Sequence, residues 1–259
     1  SQDGEASTSA DRETAFPRVT FLGTSSATPS KYRNVSGYLF ETGPSSAFLV
    51  DVGESTFAQL KVILDERLTQ TLIDLYAVFI THAHQDHMNG LYTVIEQRVA
   101  AFEEKGLPYV PLVLVCNKNV VKPLKTYTHC FEDLERYVQL VDLATSGSVR
   151  WGPSSPKRTR KTSGEGKGDD TRSSPSRTAE NLVPLDLAAP TSDLIAKMPA
   201  GAYDEQKWRM KAAVAVQVHH TRMANGFVFT TSSGKKIVFS GDTKPCDLLV
   251  EVGTGADLL

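Results

Sequence analysis

The segment Thr81-His82-Ala83-His84-Gln85-Asp86-His87 directly follows the apolar run 77–80, AVFI, and holds three imidazoles and one carboxylate. Packing does not explain this cluster, because apolar side chains would fill a strand-to-helix turn at a lower cost of desolvation. Imidazole and carboxylate suit Zn²⁺, with Mn²⁺ or iron as competitors. We therefore predict that His82 and His84 hold one metal ion and that Asp86 and His87 hold a second. A chance group of histidines on a surface loop is the alternative.

Strands and helices alternate around this segment, as in an α/β domain. The helical period predicts helices over 55–68, from near Gly90, and from Asn117, where Pro123 disturbs the first turns. Apolar, β-branched runs predict strands at 17–23, 45–53, 74–81, 110–116, 212–220, 226–231 and 235–242. The turn at 232–234 joins the last two predicted strands in a hairpin.

The composition is that of one sizeable α/β domain or two small ones, with 259 residues of which 40% are hydrophobic and 8% aromatic. No apolar run is long enough to cross a bilayer, which argues against a membrane protein. The formal net charge of −2 neither favours nor excludes a nucleic-acid partner. The three cysteines have no CxxC spacing and fit a reducing compartment, so we do not expect secretion.

We place the domain at 17–259. Two segments differ from the rest of the chain in composition, one before the domain and one within it. Residues 1–16 are small, polar or acidic, so we expect a disordered lead-in. Residues 150–177 contain eight basic and three acidic residues, which predicts a disordered basic insertion at about 145–180 and leaves the rest of the chain at −7. Its segment 157–161, KRTRK, is either a nuclear address or a loop that touches RNA, or a solvated expansion, the interpretation that we favour.

The HxHxDH motif after a core strand resembles the signature of the metallo-β-lactamase superfamily, which implies an αββα sandwich. The resemblance also implies three further ligands. Asp242, in the segment 239–243, FSGDT, matches the aspartate that bridges both metals. The ligand at the end of the 212–220 strand is His220 or His219, and we choose His220 because its offset from Gly226 matches the family spacing. The family's last histidine has no counterpart before Leu259, where the chain looks like the start of a strand, so we expect a domain truncated before its last strand and helices.

Four segments narrow the resemblance to ribonuclease Z, the endonuclease that removes 3′ trailers from precursor tRNA. Residues 21–29, FLGTSSATP, look like its LGTxSAxP start, and 29–34, PSKYRN, like its PxKxRN loop. Residues 51–60, DVGESTFAQL, resemble DxGEGTxxQL with Ser55 in place of the second glycine, and 240–246, SGDTKPC, resemble SGDTxPC. Only 221–241 separate the strand-end histidine from the bridging aspartate, too few for the tRNA-gripping arm of short ribonuclease Z enzymes. The match is therefore to the C-terminal, catalytic half of the long form.

This resemblance implies a zinc-dependent endoribonuclease with two Zn²⁺ per site, or Mn²⁺ in their place. The implied catalytic residues are His82, His84, Asp86 and His87, and the implied metal ligands are these four with His220 and Asp242. Asp86 would orient the attacking water or accept its proton. The implied contacts to the tRNA acceptor end are Lys31, Arg33 and Asn34, and the side chains that orient the ligands are Asp51 and Thr81. The products would be a tRNA with a 3′-hydroxyl and a trailer with a 5′-phosphate.

Two other functions stay open from the sequence. A hydrolase of the same superfamily acting on a small ester or phosphodiester would show no preference for tRNA. A catalytically dead binding module is the other, because the last implied ligand lies outside the chain, and for the same reason we expect the chain alone to be weak or inactive. The implied partners are precursor tRNA and the N-terminal half of a long-form enzyme, and the implied location is the nucleus or the mitochondrion.

Overall fold

Ten strands and seven α-helices are described in a computed structural model, over residues 16–143, 182–185 (backbone only) and 204–259. The strands are β1 Arg18–Gly23, β2 Gly37–Gly43, β3 Ser46–Val52, β4 Leu75–Phe79, β5 Leu112–Cys116, β6 Val138–Asp142, β7 Leu182–Leu185, β8 Met210–Gln217, β9 Asn225–Thr231 and β10 Lys236–Phe239. The helices are α1 Thr56–Leu64, α2 Leu68–Ile73, α3 Gln85–Met88, α4 Leu91–Glu104, α5 Lys118–Cys130, α6 Glu205–Trp208 and α7 Asp247–Gly253. The basic insertion predicted at about 145–180 lies outside the described residues, as does the predicted lead-in up to residue 15.

The strands form two sheets. The first has the order β1-β2-β3-β4-β5-β6, antiparallel from β1 to β3 and parallel from β3 to β6. The second has the order β10-β9-β8-β7 and is antiparallel throughout. Parallel neighbours need a crossover, and the helices α1 to α5 supply the crossovers of the first sheet.

Successive side chains of a strand face opposite sides of its sheet, and here both sides are buried. Phe79 of β4 faces the second sheet, where its ring centroid lies 4.8 Å from that of Phe229 in β9. Its neighbour Val78 faces the other way, into the layer that packs against α1, α4 and α5. On the far side of the second sheet, Val228 belongs to the layer that packs against α7. The order helix, sheet, sheet, helix confirms the predicted αββα sandwich.

The strand β2 was not predicted, because it carries Glu41 at a position that is buried in the fold. Glu41 is 4% exposed, and the guanidinium groups of Arg18 and Arg67 each bind one of its carboxylate oxygens, at 2.6 and 2.5 Å. A buried charge is tolerated when it is paired. Its partners are remote in sequence, so the local pattern hides the strand.

Two predicted elements end earlier than expected. The helix predicted over 55–68 is split at Asp65, whose φ of 47° interrupts α1 before a 3-10 turn and α2. The strand predicted over 212–220 ends at Gln217, so His219 and His220 lie in a turn.

The residues after α7 run beside β10, where Leu258 forms a parallel bridge with Ile237. Among the described residues no helix is both long and apolar enough to span a membrane.

Candidate metal centre

The loop that follows β4 carries the HxHxDH motif to the carboxyl edge of the first sheet. Open parallel sheets form their binding sites at this edge. The chain leaves β4 at Phe79, passes His82 and His84 in an extended loop, and begins the one-turn helix α3 with Asp86 and His87 inside it. The loop packs tightly, because a Cβ on Gly53 would lie 2.2 Å from the carbonyl oxygen of Asp86. Glycine is therefore required beside this turn.

Four donor atoms meet at one point of the site, namely His82 Nε2, His84 Nδ1, His220 Nε2 and Asp242 Oδ2. His84 Nδ1 lies 2.9 Å from His82 Nε2 and 3.2 Å from His220 Nε2. Asp242 Oδ2 lies 3.9 Å from His82 Nε2 and 3.5 Å from His220 Nε2. Ligands of a tetrahedral zinc with bonds of about 2.0–2.1 Å are about 3.3 Å apart. The four donor atoms all lie within 4.8 Å of one another, so small side-chain movements would bring them around one such ion.

A second group of donors surrounds His87 Nε2. This atom lies 3.6 Å from Asp86 Oδ2 and 3.4 Å from Asp242 Oδ1. It is buried and has no hydrogen-bond partner among the described residues. Buried polar atoms without a partner are rare and need an explanation, and a metal ion bound by His87 and the two carboxylates supplies one. The donor set therefore fits a metal ion here as well.

Asp242 belongs to both groups, since Oδ2 faces His220 and Oδ1 faces His87. The turn before it requires glycine, because Gly241 has a φ of 57° and a Cβ there would lie 3.0 Å from the Cβ of Thr81. The amide of Asn225 donates to the carbonyl of Thr81 at 2.9 Å, which fixes the second sheet against the motif loop. Asp242 thus stands at the seam between the two sheets.

Asp51 and Thr81 hold the imidazoles in place. The backbone amide of Thr81 donates to Asp51 Oδ1 at 2.8 Å, and the Thr81 hydroxyl lies 2.8 Å from Oδ2. His87 Nδ1 lies 2.7 Å from Asp51 Oδ2, so this nitrogen carries the proton and Nε2 keeps its lone pair for a ligand. The Thr81 hydroxyl also lies 3.0 Å from His82 Nδ1. Such hydrogen bonds to ligating histidines fix their orientation and tautomer.

The electrostatic environment favours the neutral form of His82. Burial, followed by the neighbouring imidazoles of His87, His84 and His220, lowers the pKa of His82 to about 3. A neutral ring at pH 7 keeps a lone pair available, as metal binding requires.

In both His87 and Asp86, the effect of burial on the pKa is opposed and outweighed by hydrogen bonds and nearby charges. Burial by itself would lower the pKa of His87, but its hydrogen bond to Asp51 and the charges of Asp51, Asp242 and Asp86 raise it above its ordinary value. Burial by itself would raise the pKa of Asp86, but the hydrogen bond from the Ala27 amide and the charge of His87 bring it below its usual range. The Asp86 carboxylate is therefore kept ionised.

The two adjacent histidines after β8 have different surroundings. His220 points to His84, as the distance of 3.2 Å shows. His219 points away, with Nδ1 3.1 Å from the carbonyl oxygen of Pro245. Because a carbonyl only accepts, His219 Nδ1 carries a proton and cannot serve as a ligand atom.

The loop between β1 and β2 reaches the site through a residue that the sequence did not suggest. The amide of Ala27 donates to Asp86 Oδ2 at 2.6 Å. A backbone donor has no signature in side-chain patterns, so only the fold shows it. Further along this loop, Lys31 and Arg33 are exposed, and Asn34 Nδ2 is buried without a hydrogen-bond partner among the described residues.

Comparison with solved structures identifies the fold. A long-form RNase Z from yeast covers 98% of this chain with a TM-score of 0.66 and 18% identity, and the chain covers 33% of it. The human tRNase Z short form, ELAC1, covers 93% with a TM-score of 0.58 and 20% identity, and the chain covers 75% of it. The metallo-beta-lactamase fold protein YhfI from Bacillus subtilis covers 93% with a TM-score of 0.52 and 14% identity, and the chain covers 68% of it.

Sequence comparison finds longer relatives. The chain is 50% identical over 245 residues to the zinc phosphodiesterase ELAC protein 2 homolog of Caenorhabditis elegans, covering 94% of this chain and 27% of the relative. It is 31% identical over 250 residues to zinc phosphodiesterase ELAC protein 2 of Rattus norvegicus, covering 96% and 25%. It is 26% identical over 255 residues to the tRNAse Z TRZ4, mitochondrial, of Arabidopsis thaliana, covering 93% and 26%. The chain thus spans about a quarter of the length of these relatives.

The sandwich and its His/Asp centre define a protein of the metallo-β-lactamase fold. The predicted resemblance to ribonuclease Z is confirmed by the relatives. A family model described as Anti-Pycsar protein Apyc1 matches residues 17–160, and the chain belongs to that family.

Proposed function

We propose that this chain is the catalytic part of a zinc-dependent endoribonuclease that removes 3′ trailers from precursor tRNA. The observation that carries the proposal is the carboxylate of Asp242, whose two oxygens lie 3.5 Å from His220 Nε2 and 3.4 Å from His87 Nε2. A carboxylate shared between two donor groups is what a two-metal phosphodiesterase needs. The substrate class is supported by the relatives, which are named zinc phosphodiesterase and tRNAse Z.

We assign two zinc ions to the site, with Mn²⁺ as a competitor. His82, His84, His220 and Asp242 would hold one ion, and Asp86, His87 and Asp242 would hold the other. When bound, the ions supply an acidified water and positive charge against the phosphate oxygens at neutral pH.

The protein's own residues would manage the proton and the substrate. The Asp86 carboxylate, kept ionised by the Ala27 amide, would accept the proton of the attacking water. Lys31 and Arg33, which are both exposed, would bind phosphates at the tRNA acceptor end, and Asn34 would contact the nucleotide beside the cut. The cut would leave a 3′-hydroxyl on the tRNA and a 5′-phosphate on the trailer.

Cleavage of three substrates tests this function. They are a precursor tRNA with a 3′ trailer, an unstructured RNA of equal length, and bis-p-nitrophenyl phosphate. We expect slow cleavage of the precursor at one position, in keeping with the weak activity expected of the chain alone, and much slower cleavage of the unstructured RNA. Equal rates on both RNAs would indicate a generic hydrolase. No turnover of any substrate by protein that contains its full complement of metal would indicate a binding module.

Metal analysis tests the stoichiometry. After loading with Zn²⁺ and removal of the excess, we expect more than one but fewer than two ions per chain, because only Asp86, His87 and Asp242 are assigned to the second ion. A ratio of one that Mn²⁺ does not raise would contradict the two-metal assignment.

The biological setting follows from the same proposal. Precursor tRNA would be the partner in solution, and the rest of a longer protein would assist in gripping it, since the relatives are about four times as long as this chain. The nucleus or the mitochondrion would be the location, and the Arabidopsis relative is named mitochondrial. Within the chain, the catalytic domain would occupy 17–259, with the basic insertion at about 145–180 as an appendage.

A further inference from the structure

A pocket of about 290 Å³ opens beside the metal centre, and most of its lining has no role in the assignments above. The turn after β8 and the loop after β10 form its walls. His220, one of the candidate ligands, lies in its lining together with His219, Arg222 and Lys244. The pocket is therefore directly adjacent to the place where the scissile phosphate would lie.

The pocket is basic in a chain that is otherwise acidic. Arg222 and Lys244 are both exposed, and no carboxylate lines the pocket. Within the described ranges, no carboxylate forms an ion pair with either side chain. Outside the basic insertion the chain carries a net charge of −7, so two cations at this spot are not a consequence of overall composition.

Hydrogen bonds hold the two walls in a fixed relation. The amide of Lys244 donates to the carbonyl of His219 at 2.9 Å, and the amide of His219 donates to the Thr243 hydroxyl at 3.1 Å. Gln217 Nε2 donates to the carbonyl of Arg222 at 3.0 Å, which closes the turn after β8. The backbone segments that carry Arg222 and Lys244 are therefore held beside each other.

We propose that Arg222 and Lys244 form a phosphate subsite that binds the backbone phosphate next to the one that is cut. This proposal rests on the proposed function and deepens it. A guanidinium binds phosphate oxygens in pairs and an ammonium binds them as a point charge, so together they suit a phosphodiester of RNA. A small phosphodiester has only one phosphate and leaves this subsite empty. The pocket therefore makes the centre prefer a polynucleotide.

The test compares two double variants that remove the same charge. Arg222→Ala/Lys244→Ala removes the subsite, and Lys61→Ala/Lys211→Ala removes two exposed cations from α1 and from the start of β8. The affinity for a 5′-labelled precursor tRNA is measured by fluorescence anisotropy on EDTA-treated protein, over a range of salt concentrations. Arg222→Gln/Lys244→Gln repeats the measurement with side chains of similar length, and circular dichroism checks that each variant is folded.

We expect the subsite variants to bind the RNA about 10–100-fold more weakly, since each charge-assisted contact is worth about tenfold. The slope of log affinity against log salt should fall by about 0.7–0.9 for the phosphate contact that is lost. The cleavage rate should fall more for precursor tRNA than for bis-p-nitrophenyl phosphate. Equal losses in the subsite and control variants would overturn the subsite, because they would reflect overall charge alone.

The same data separate the two proposals. If the unmodified protein cleaves precursor tRNA and the subsite variants bind it normally, only the subsite is wrong. If the subsite variants bind RNA weakly but the unmodified protein removes no trailer, the tRNA-processing function is wrong and the subsite stands.

Discussion

Asp51 fixes the candidate metal centre without contacting a metal. Its carboxylate accepts from the Thr81 amide and hydroxyl and from His87 Nδ1. An asparagine at position 51 would place an NH₂ donor where an oxygen must accept from the Thr81 amide or from His87 Nδ1. Without this hydrogen bond the His87 ring can rotate, and Nε2 then loses its alignment with the ion. One side chain therefore sets the direction of His87.

The variant Asp51→Asn should lower metal affinity or cleavage rate by about 10–100-fold. The measurement is metal content by elemental analysis together with the rate on precursor tRNA. Glu54→Gln, an exposed carboxylate three residues away, is the control and should change neither value. An equal loss in both variants would contradict an orienting role.

Ser55 occupies a backbone conformation that favours glycine. Its φ is 64°, it is exposed, and its side chain makes no capping hydrogen bond to α1. The related ribonuclease Z segment has glycine at this place. Because a side chain in the left-handed region is strained, Ser55→Gly should raise the free energy of unfolding by about 0.5–1 kcal/mol.

Urea unfolding measures this change. The matched control is Ala58→Gly, at an exposed position inside α1, which should lower the free energy of unfolding by about 1 kcal/mol. If both glycines destabilise the protein, strain at Ser55 is not the explanation.

His82 makes the metal-free protein sensitive to acid. The pKa of His82 is about 3 in the folded chain and 6.5 ordinarily. Between these pH values the imidazole is protonated in the unfolded chain and neutral in the folded chain. Its contribution to stability is present above pH 6.5 and is lost as the pH falls towards 3. His87, whose pKa is raised, contributes with the opposite sign.

The variant His82→Gln isolates this effect. Urea unfolding of EDTA-treated protein between pH 7 and pH 4 should show a smaller loss of stability in the variant than in the unmodified protein. The same pH dependence in both proteins would contradict the shift.

At the scale of elements, β4 positions the motif loop through its packing. Phe79, the last residue of β4, is fully buried, and its ring contacts Phe229 and Phe227 of the second sheet at centroid distances of 4.8 and 5.4 Å. Phe79→Ala should lower the free energy of unfolding by about 3–5 kcal/mol and weaken metal binding. Thermal unfolding and metal titration measure the two effects. Val250→Ala, at a side chain that is 70% exposed, should stay within about 0.5 kcal/mol of the unmodified protein.

The sequence predicts an element well when its own residues decide the structure. Asn117 illustrates this, because its side chain accepts from the Asn119 amide and begins α5 as predicted. Neither β2 nor the break at Asp65 could be predicted locally, since Glu41 depends on remote arginines and Asp65 on a positive φ. The same division holds in the site. The motif residues can be recognised in the sequence. Only the folded structure shows that the Ala27 amide donates to Asp86 and that Arg222 and Lys244 line the same pocket.

At the scale of the molecule, the three cysteines report on three environments. Cys116 lies under the helices of the first sheet, where burial raises its thiol pKa, and Cys246 lies under α7. Cys130 is exposed at the end of α5. Thiolate is the reactive form, so the native protein should react rapidly with one equivalent of a thiol reagent and the unfolded protein with three. Cys130→Ser should abolish the rapid reaction, and two rapid equivalents in the native protein would contradict this burial.

The candidate ligands come from both halves of the sandwich. His82, His84, Asp86 and His87 follow a strand of the first sheet, and His220 and Asp242 follow strands of the second. An ion bound by ligands from both sheets would stabilise the fold, because it binds the folded chain only. At a concentration a hundredfold above Kd it would raise the free energy of unfolding by about 2.7 kcal/mol. Proteases remove chains that open more often. A cell starved of the ion would therefore be expected to hold fewer copies of the protein.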